Sequence, residues 1–342
     1  MKNKRHSEII DVLLQNSDLS AQNILSLLPQ YISKITLLRD LDELISLGFV
    51  KRHGIARATK YFLTQKGKIL REFDLDQYFK NENRNIAFPI FNFNIFQNLL
   101  NLFDSAEVKD LYSRNTKFEK NFKTLPDIIL KKELERLTIE FCWKSSHIEG
   151  NTYTLLDTER LLKFQTLAIG HPNEEATMII NHKNAMEFIY KNIDLYKKIT
   201  ISKIEDLHKI IVDNLNVSTQ IRQVAVGITG TEYKPLDNKY QLKEVLEKTC
   251  DLINSTRFPL EKALIAVAMI SYIQPFEDGN KRTARLIGNA ILLANNFSPL
   301  SYKNVDEVAY KAALIIFYEQ NSLGNFKKLF VSQYINALEK YF

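Results

Sequence analysis

Apolar positions in the first part of the chain recur with the period of an α-helix in three short segments. Within each segment they stand three and four residues apart, over residues 5–15, 20–29 and 33–48. Ser20 and Ser33 precede the second and third segments, and serine is a favoured helix N-cap. Gly48 closes the third segment, where glycine commonly follows the last helical residue. The pattern therefore predicts three short helices that pack on a common core.

The third predicted helix has one apolar and one polar face. We expect its apolar face to consist of Ile35, Leu38, Leu41 and Ile45, with Leu37 and Leu44 beside it. Its outward face would then carry Lys34, Thr36 and Arg39. The β-prone runs FVKRHG and ATKYFLT follow on either side of Gly54, and together they predict a hairpin.

Most of the remaining chain keeps the helical spacing of apolar residues, which predicts a mainly α fold class. The exception is residues 222–236, RQVAVGITGTEYKPL, where β-prone residues surround Gly227 and Gly230. This segment predicts a small β-hairpin inside a helical domain.

A linker separates the two helical regions. Residues 72–105 begin acidic, contain Pro89 and continue into a cluster of phenylalanines. Because proline interrupts a helix, we expect an irregular connector whose phenylalanines dock on the next domain. The predicted units are therefore residues 1–71, residues 72–105 and residues 106–342.

The positive charge of the chain is confined to its first unit. The chain has a formal net charge of +6, and residues 1–71 hold twelve Lys/Arg against six Asp/Glu. The remaining residues hold equal numbers of basic and acidic side chains, so the entire excess lies in the N-terminal unit. A concentrated positive charge favours a polyanionic partner at that unit.

Cysteine usage and the apolar runs indicate a protein of the cytoplasm. Cys142 and Cys250 are the only cysteines, which predicts neither a disulfide framework nor a cysteine metal site. No apolar run reaches the length of a membrane span, and the N-terminus lacks the pattern of a signal peptide. We expect a protein without a membrane partner.

The stretch QPFEDGNKRTAR, residues 274–285, has the chemistry of an anion site. A helix that begins near Gly279 would offer unpaired N–H groups and a positive dipole end. Asn280 adds a neutral donor, and Arg282 and Arg285 suit phosphate oxygens. Asp278 could hold a Mg²⁺ that bridges two phosphates. The loop therefore predicts a nucleotide site.

Three helices followed by a basic hairpin resemble a winged helix-turn-helix domain, over residues 1–71. The resemblance implies that the third helix enters the major groove of DNA through Lys34, Thr36 and Arg39. The hairpin residues that would meet phosphates are Lys51, Arg52, Arg57 and Lys60. The alternative is that such a unit serves as a protein-docking module.

QPFEDGNKRTAR is similar to the Fic family signature, His-x-Phe-x-Asp/Glu-Gly-Asn-x-Arg-x-x-Arg, at every position except the first. Members are mostly helical and typically transfer AMP from ATP to a hydroxyl of a target protein. The resemblance implies that Phe276 anchors the loop, that Asp278 binds Mg²⁺ and that Arg285 holds the γ-phosphate. It also assigns the other phosphate contacts to Gly279, Asn280, Lys281 and Arg282. Lys281 stands where glycine is usual, as in relatives that transfer a terminal phosphate instead of AMP.

SSHIEGN, residues 145–151, resembles the inhibitory helix motif of the same family, Ser/Thr-x-x-x-Glu-Gly/Asn, with Ser145, Glu149 and Gly150 in register. In such proteins the glutamate pairs with the second arginine of the loop, which here is Arg285. One carboxylate would then compete with the γ-phosphate for one guanidinium. Members with this motif often form homodimers, and no apolar stripe indicates which face would do so here.

The predicted hairpin within residues 222–236 resembles the flap of the family, which pairs with a segment of the target protein. The flap residues are Gly227, Ile228, Thr229, Gly230, Thr231, Glu232 and Tyr233. The alternative is a surface hairpin without a partner.

Gln274 stands where the family has the histidine that acts as general base. A glutamine amide cannot take a proton near neutral pH, although it can hydrogen-bond a hydroxyl or a phosphate oxygen. Loss of a general base typically costs about a hundredfold to ten-thousandfold in rate. His182 and His208 are expected to be structural residues and not replacements.

Two hypotheses of different class follow. The first is a Fic-type protein nucleotidyltransferase that is autoinhibited by Glu149 and impaired by Gln274. The second is a non-catalytic regulator that senses ATP in the Fic-type pocket and binds DNA through residues 1–71. Removal of AMP from a modified protein, with Glu149 activating water, is a third, but in relatives it also relies on the missing histidine.

Overall fold

The computed structural model describes residues 4–341, and its architecture is mainly α, as the sequence predicts. Lys2, one of the twelve basic residues of the first unit, lies outside the described residues. The helices are α1 (Lys4–Gln15), α2 (Ala21–Leu27), α3 (Lys34–Ser46), α4 (Gln65–Ile69), α5 (Leu75–Lys80), α6 (Ser105–Thr124), α7 (Asp127–Ile148), α8 (Leu155–Phe164), α9 (Asn173–Lys191), α10 (Ile201–Ile211), α11 (Lys239–Ser255), α12 (Pro259–Ile273), α13 (Asn280–Ala294), α14 (Glu307–Gln320) and α15 (Gly324–Lys340). The strands are β1 (Val50–His53) and β2 (Lys60–Leu63), and short 3₁₀ helices span Ala56–Ala58, Phe93–Asn98 and Ile193–Lys197.

The N-terminal helices and the hairpin enclose a core of their own. Strands β1 and β2 pair antiparallel, with Val50 opposite Leu63 and His53 opposite Lys60. The Ser20 and Ser33 side chains accept hydrogen bonds from backbone N–H groups in the first turns of α2 and α3, so both predicted N-caps are confirmed. The core consists of buried residues from all three helices and both strands: Ile9, Ile10, Val12, Leu13, Ile24, Leu37, Leu41, Leu44, Val50, Tyr61 and Leu63.

The apolar face predicted for α3 is wrong at its first position. Ile35 is 82% exposed, and the buried apolar stripe runs instead through Leu37, Leu41 and Leu44. Residues two apart on a helix point to nearly opposite sides, so a stripe that includes Leu37 turns Ile35 outward. Thr36, expected on the outward face, is half-buried, and its hydroxyl lies 2.9 Å from the hydroxyl of Ser33.

Helices α12 and α13 form the centre of the larger helical region. Every residue of α12 except Lys262 is buried, as expected for a helix that is apolar on all sides and surrounded by others. At Gly288 a Cβ would lie 2.7 Å from the Cγ2 of Val267, so the two helices approach closely there. The turn between them carries the predicted anion loop, and the packing of both helices fixes its position.

The linker docks on the larger region through its aromatic residues, as predicted. Phe91 and Phe103 are buried, and the Phe91 ring stacks on Tyr272 at a centroid distance of 4.8 Å. The helix α5 ends well before Pro89, and the residues that follow are irregular until the 3₁₀ helix Phe93–Asn98.

Residues 222–236 do not form the predicted hairpin. Among the described residues the only sheet is β1–β2, and this segment makes a single parallel bridge between Lys234 and Ile90. The buried Arg222 guanidinium donates to the backbone carbonyls of Val224, Leu236 and Gln274. Two of these carbonyls lie within the segment and are therefore bonded to an arginine instead of to an opposing strand.

Neither cysteine forms a disulfide, and both Cys142 and Cys250 are buried. No helix within residues 4–341 combines the length and the apolar character that crossing a membrane would need.

The N-terminal unit joins the larger region at the turn between α14 and α15. The Leu323 N–H donates to the Ile69 carbonyl at 2.6 Å, and the Ser322 hydroxyl donates to the Arg71 carbonyl at 2.6 Å. A Cβ on Gly324 would lie 2.2 Å from the Arg71 carbonyl oxygen.

We predict that Gly324→Ala destabilises the chain by about 1–3 kcal/mol. The added methyl group would clash with the backbone of Leu70 and Arg71, and backbone atoms cannot move aside as the end of a flexible side chain can. Urea unfolding would measure the change. Gly227→Ala is the control, since a Cβ there would have no neighbour within 4 Å. Equal stability of the two variants would contradict the close approach at this junction.

Candidate functional site

The anion loop lies between the C-terminus of α12 and the N-terminus of α13. Gln274 and Gly279 bracket it with left-handed backbone conformations, at φ values of 51° and 76°. Phe276 is fully buried and anchors the loop, as the resemblance implies. The first N–H groups of α13 have no partners within the helix and are available to an anion.

The Asn280 side chain shapes this loop instead of facing a ligand. Its amide donates to the Phe276 carbonyl and its oxygen accepts from the Phe276 N–H, each at 2.8 Å. The Asn280 side-chain amide, which the sequence predicts as a donor to phosphate, is therefore engaged within the protein. What remains for an anion at this residue is its backbone N–H.

A cavity of 170 Å³ joins the three motifs that are far apart in the sequence. It is lined by the loop, by Glu149 and by part of the predicted flap: Glu149, Val226, Gly227, Ile228, Thr229, Gln274, Glu277, Asp278, Gly279, Asn280, Lys281 and Arg282. Arg285 does not line the cavity, because it is fully buried in contact with Glu149. The structure thus brings the predicted nucleotide site and the predicted inhibitory residue together.

Glu149 and Arg285 form an ion pair in which the arginine is fully buried and the glutamate side chain is 19% exposed at the cavity. The Glu149 Oε1 lies 2.8 Å from the Arg285 Nη1, out of line for an N–H···O bond, so their attraction is mainly Coulombic. Lys281 approaches the other carboxylate oxygen at 3.9 Å. Burial by itself would raise the pKa of Glu149, but the charges of Arg285 and Lys281 outweigh it and lower that pKa. Glu149 is therefore a carboxylate at neutral pH.

A chain of hydrogen bonds through His182 and Ser145 fixes the position of the Arg285 guanidinium. The His182 Nδ1–H donates to the Met178 carbonyl at 2.8 Å, so its Nε2 accepts from the Ser145 hydroxyl at 2.8 Å. The Arg285 Nε–H then donates to the Ser145 oxygen at 2.9 Å, and its Nη2 donates to the Ser145 carbonyl. The predicted motif residue Ser145 therefore orients the arginine, while Gly150 turns the chain after the helix at a φ of 101°.

Arg282 has one free donor inside the protein. Its Nη2 donates to Asp278 at 2.7 Å, whereas its buried Nη1 has no hydrogen-bond partner among residues 4–341. An unsatisfied buried donor is costly, and an anion in the cavity would satisfy it. Burial lowers the pKa of Arg282, partly offset by Asp278 and Glu149, so an added anion would also stabilise its charge.

The residues at the cavity could hold Mg²⁺ only together with phosphate oxygens as further ligands. Within residues 4–341 no group of three or more His, Cys, Asp or Glu could hold a metal ion by itself. Asp278 has a side chain that is 67% exposed at the cavity. Because Mg²⁺ in proteins often takes one or two carboxylates together with substrate phosphates and water, Asp278 suits that role.

The Gln274 side chain turns back on its own helix. Its amide donates to the Ser271 carbonyl at 2.6 Å, and the side chain is nearly buried. Gln274, at the first position of the signature-like stretch, therefore directs one amide N–H to its own helix, and its carbonyl oxygen is not basic enough to accept a proton near neutral pH.

His182 and His208 are buried and hydrogen-bonded, as expected for structural residues. The His208 ring lies flat against Phe276, with ring centroids 3.6 Å apart and planes 4° apart. Its Nε2–H donates to the Ser218 carbonyl, and its Nδ1 accepts from the Thr283 hydroxyl. His208 therefore supports the anion loop from below. No local sequence pattern indicates this role, because His208 lies far from the loop along the chain.

The seven predicted flap residues do not share one environment. Gly227, Ile228 and Thr229 line the cavity, while Tyr233 is buried and donates its hydroxyl proton to the Tyr272 carbonyl. Between them, the tip is fixed to the linker: Arg84 donates to the Gly230 carbonyl, and both Arg84 and Thr231 donate to the buried Glu319. Glu232 is exposed.

The basic residues predicted to contact DNA are exposed on the N-terminal unit. Five of them have no carboxylate within 4.0 Å among the described residues: Lys34, Arg39, Lys51, Arg57 and Lys60. Arg52 differs, because it approaches Asp42 of α3 at 3.6 Å. This contact places β1 beside the C-terminal half of α3.

The chain matches the family described as Fic/DOC over residues 198–292. It is 29% identical over 192 residues to Protein adenylyltransferase fic-1 of Caenorhabditis elegans, a match that covers 54% of this chain and 37% of that protein. It is 26% identical over 190 residues to Protein adenylyltransferase Fic of Nematostella vectensis, covering 53% and 43%. The chain thus matches less than half the length of these relatives.

Solved structures share the fold of about two thirds of the chain. Fic-1 of C. elegans aligns with a TM-score of 0.58 at 24% identity, covering 69% of this chain and 72% of that one. A Fic domain containing signaling protein from Bacteroides thetaiotaomicron aligns with a TM-score of 0.56 at 22% identity, covering 68% and 94%. At these identities the likeness establishes the fold alone.

We predict that the chain loses stability as the pH falls from 7 to 5. Burial lowers the pKa of His182 to about 3 and that of His208 to about 4, below the ordinary 6.5. The unfolded chain therefore binds protons first, so the stability from each neutral histidine is complete above pH 6.5 and decreases by about 2 kcal/mol at pH 5. Urea midpoints at both pH values would measure the loss.

The variant His208→Asn cannot titrate at this position, so we expect a smaller loss of stability between the two pH values, whatever its stability at pH 7. An unchanged loss would show that His208 is not the group responsible.

Proposed function

We propose that this protein with a Fic/DOC domain binds ATP at the loop of residues 274–285 and that its reaction class is AMP transfer to a hydroxyl of a protein. The likeness to proteins named adenylyltransferases supports the class of reaction. The free Nη1 of Arg282, the N–H groups at the start of α13 and the nearby Lys281 support an anionic ligand. Asp278 would hold Mg²⁺ against the phosphates, and that ion would neutralise their charge.

Glu149 acts as an autoinhibitory residue in this proposal. The observation that carries it is the 2.8 Å ion pair with Arg285, which gives the carboxylate the position that a terminal phosphate oxygen would need. A phosphate can pair with Arg285 only after Glu149 moves or is removed. The cavity of 170 Å³ supports this view, because it is smaller than the space that small-molecule ligands usually fill.

Transfer would be slow even after the site opens. Phosphate positioning and charge stabilisation would remain, while Gln274 supplies no general base. Val226 to Thr229 would align the target segment beside the loop, since they border the same cavity.

We predict that Glu149→Gly alone gives little transfer and that Glu149→Gly with Gln274→His gives about a hundredfold to ten-thousandfold more. ATP labelled on the α-phosphate, incubated with cell lysate, would show transfer as labelled protein. Gln274→His with Glu149 retained is the control, because it separates the effect of restoring the general base from the effect of removing the inhibitory glutamate. Equal labelling by the single Glu149→Gly variant and the double variant would show that the site works with glutamine.

A second candidate function is that of a nucleotide-sensing, DNA-binding regulator. The unit of α1–α3 with the β1–β2 hairpin has the order of a winged helix-turn-helix domain, and its exposed basic residues lack carboxylate partners among the described residues. The absence of a base at Gln274 favours a pocket that binds without turnover. In this candidate α3 would lie in the major groove and the hairpin would contact phosphates.

For DNA binding by this unit, we predict that Arg39→Ala weakens binding to the DNA upstream of the protein's own gene by about tenfold or more. A gel shift at fixed salt would measure it, since phosphate contacts depend on salt. Arg114→Ala, which removes an exposed arginine of α6 paired with Asp110, is the matched control. Equal binding by the two variants would count against α3 as the reading helix.

A further inference from the structure

An isoleucine lies at the N-terminal end of the surface that α3 presents outward. Ile35 is 82% exposed in the first turn of the helix. Ile35, Arg39 and Asp42 follow one another at four- and three-residue spacing, so they form one stripe along the helix. The contact between Asp42 and Arg52 of β1 marks the end of this stripe.

The surroundings of Ile35 are basic and fixed. Lys34 and Arg39 are exposed and have no carboxylate within 4.0 Å in the part of the chain that the structure describes. The adjoining Thr36 is bound to the Ser33 cap by both its N–H and its hydroxyl. The helix start is therefore rigid, and Ile35 is its one large apolar group facing solvent.

Charge complementarity selects the partner for this surface. An exposed isoleucine surrounded by unpaired cations favours a polyanion with an apolar feature, rather than an apolar protein surface that would bury those cations unpaired. Duplex DNA has such a feature, because each thymine presents its C5-methyl group at the major groove among hydrogen-bonding base edges. The first turn of a reading helix is the part that meets base edges.

We propose that Ile35 contacts thymine methyl groups in the major groove and gives the N-terminal unit a preference for thymine at one position of each binding site. This inference rests on the DNA binding proposed above. Lys34 and Arg39 supply the phosphate and hydrogen-bonding contacts on either side, while Thr36 is withdrawn from base reading by its contact with Ser33.

The test compares two duplexes that differ only in the thymine methyl group. The DNA upstream of the gene is amplified with dTTP or with dUTP, and the full-length chain is titrated against each. We expect binding to the thymine duplex to be about fourfold tighter for each methyl that is buried, from the free energy of burying one methyl group. The variant Ile35→Ser should bind both duplexes equally, since it lacks the apolar contact.

Ile55 provides the matched control. It lies at the hairpin turn and is 87% exposed, so Ile55→Ser removes an isoleucine of the same unit with similar exposure. It should retain the preference for thymine. Ile35→Ser is at an exposed position, and thermal unfolding would confirm that it folds.

The outcomes separate the two proposals. DNA binding that is equal for thymine and uracil, or a preference that survives Ile35→Ser, overturns the role of Ile35 and leaves DNA binding in place. Absence of binding to either duplex overturns both. Binding of a protein partner that is lost in Ile35→Ser, with no DNA binding, would assign the surface to protein docking.

Discussion

The buried guanidinium of Arg285 is the constraint on which the site depends. A charge without solvent contact needs a counter-charge, and removing one partner of a buried pair typically costs about 3–5 kcal/mol. Glu149 supplies that counter-charge. In the proposed function, a terminal phosphate would supply the counter-charge by taking the place of the Glu149 carboxylate. Arg285 would then keep an anionic partner both before and after the nucleotide binds.

The scaffold around this pair limits what can move. Ser145 and His182 hold the back of Arg285, and the stack of His208 on Phe276 holds the loop. Glu149 is the C-cap residue of α7, immediately before Gly150 with its left-handed backbone. The arginine side of the pair is thus fixed by several hydrogen bonds, while the glutamate side is at the end of a helix. If Glu149 inhibits the site as proposed, release by movement of Glu149 fits this asymmetry better than release by movement of Arg285.

Much of this arrangement could be predicted from the sequence, because local patterns encode it. Helical spacing, the serine N-caps and the motifs at residues 145–151 and 274–285 are all readable within short segments. The predictions fail where contacts between residues far apart in the sequence determine the local structure. Leu37 is buried in the N-terminal core, so Ile35 is turned outward. Arg222 bonds to the carbonyls that a hairpin would use, and the Asn280 side chain bonds to Phe276. The support from His208 depends on α10 packing under the loop, which no spacing in the sequence reveals.

Calorimetric titration of ATP and ADP into the wild-type chain and Glu149→Gly, with Mg²⁺ present, tests the competition for Arg285 most directly. We expect Glu149→Gly to bind ATP at least tenfold more tightly than the wild type does, with a much smaller gain for ADP, which lacks the terminal phosphate. Equal ATP affinity in the two proteins, or an equal gain for ATP and ADP, would contradict the view that Glu149 occupies the place of that phosphate.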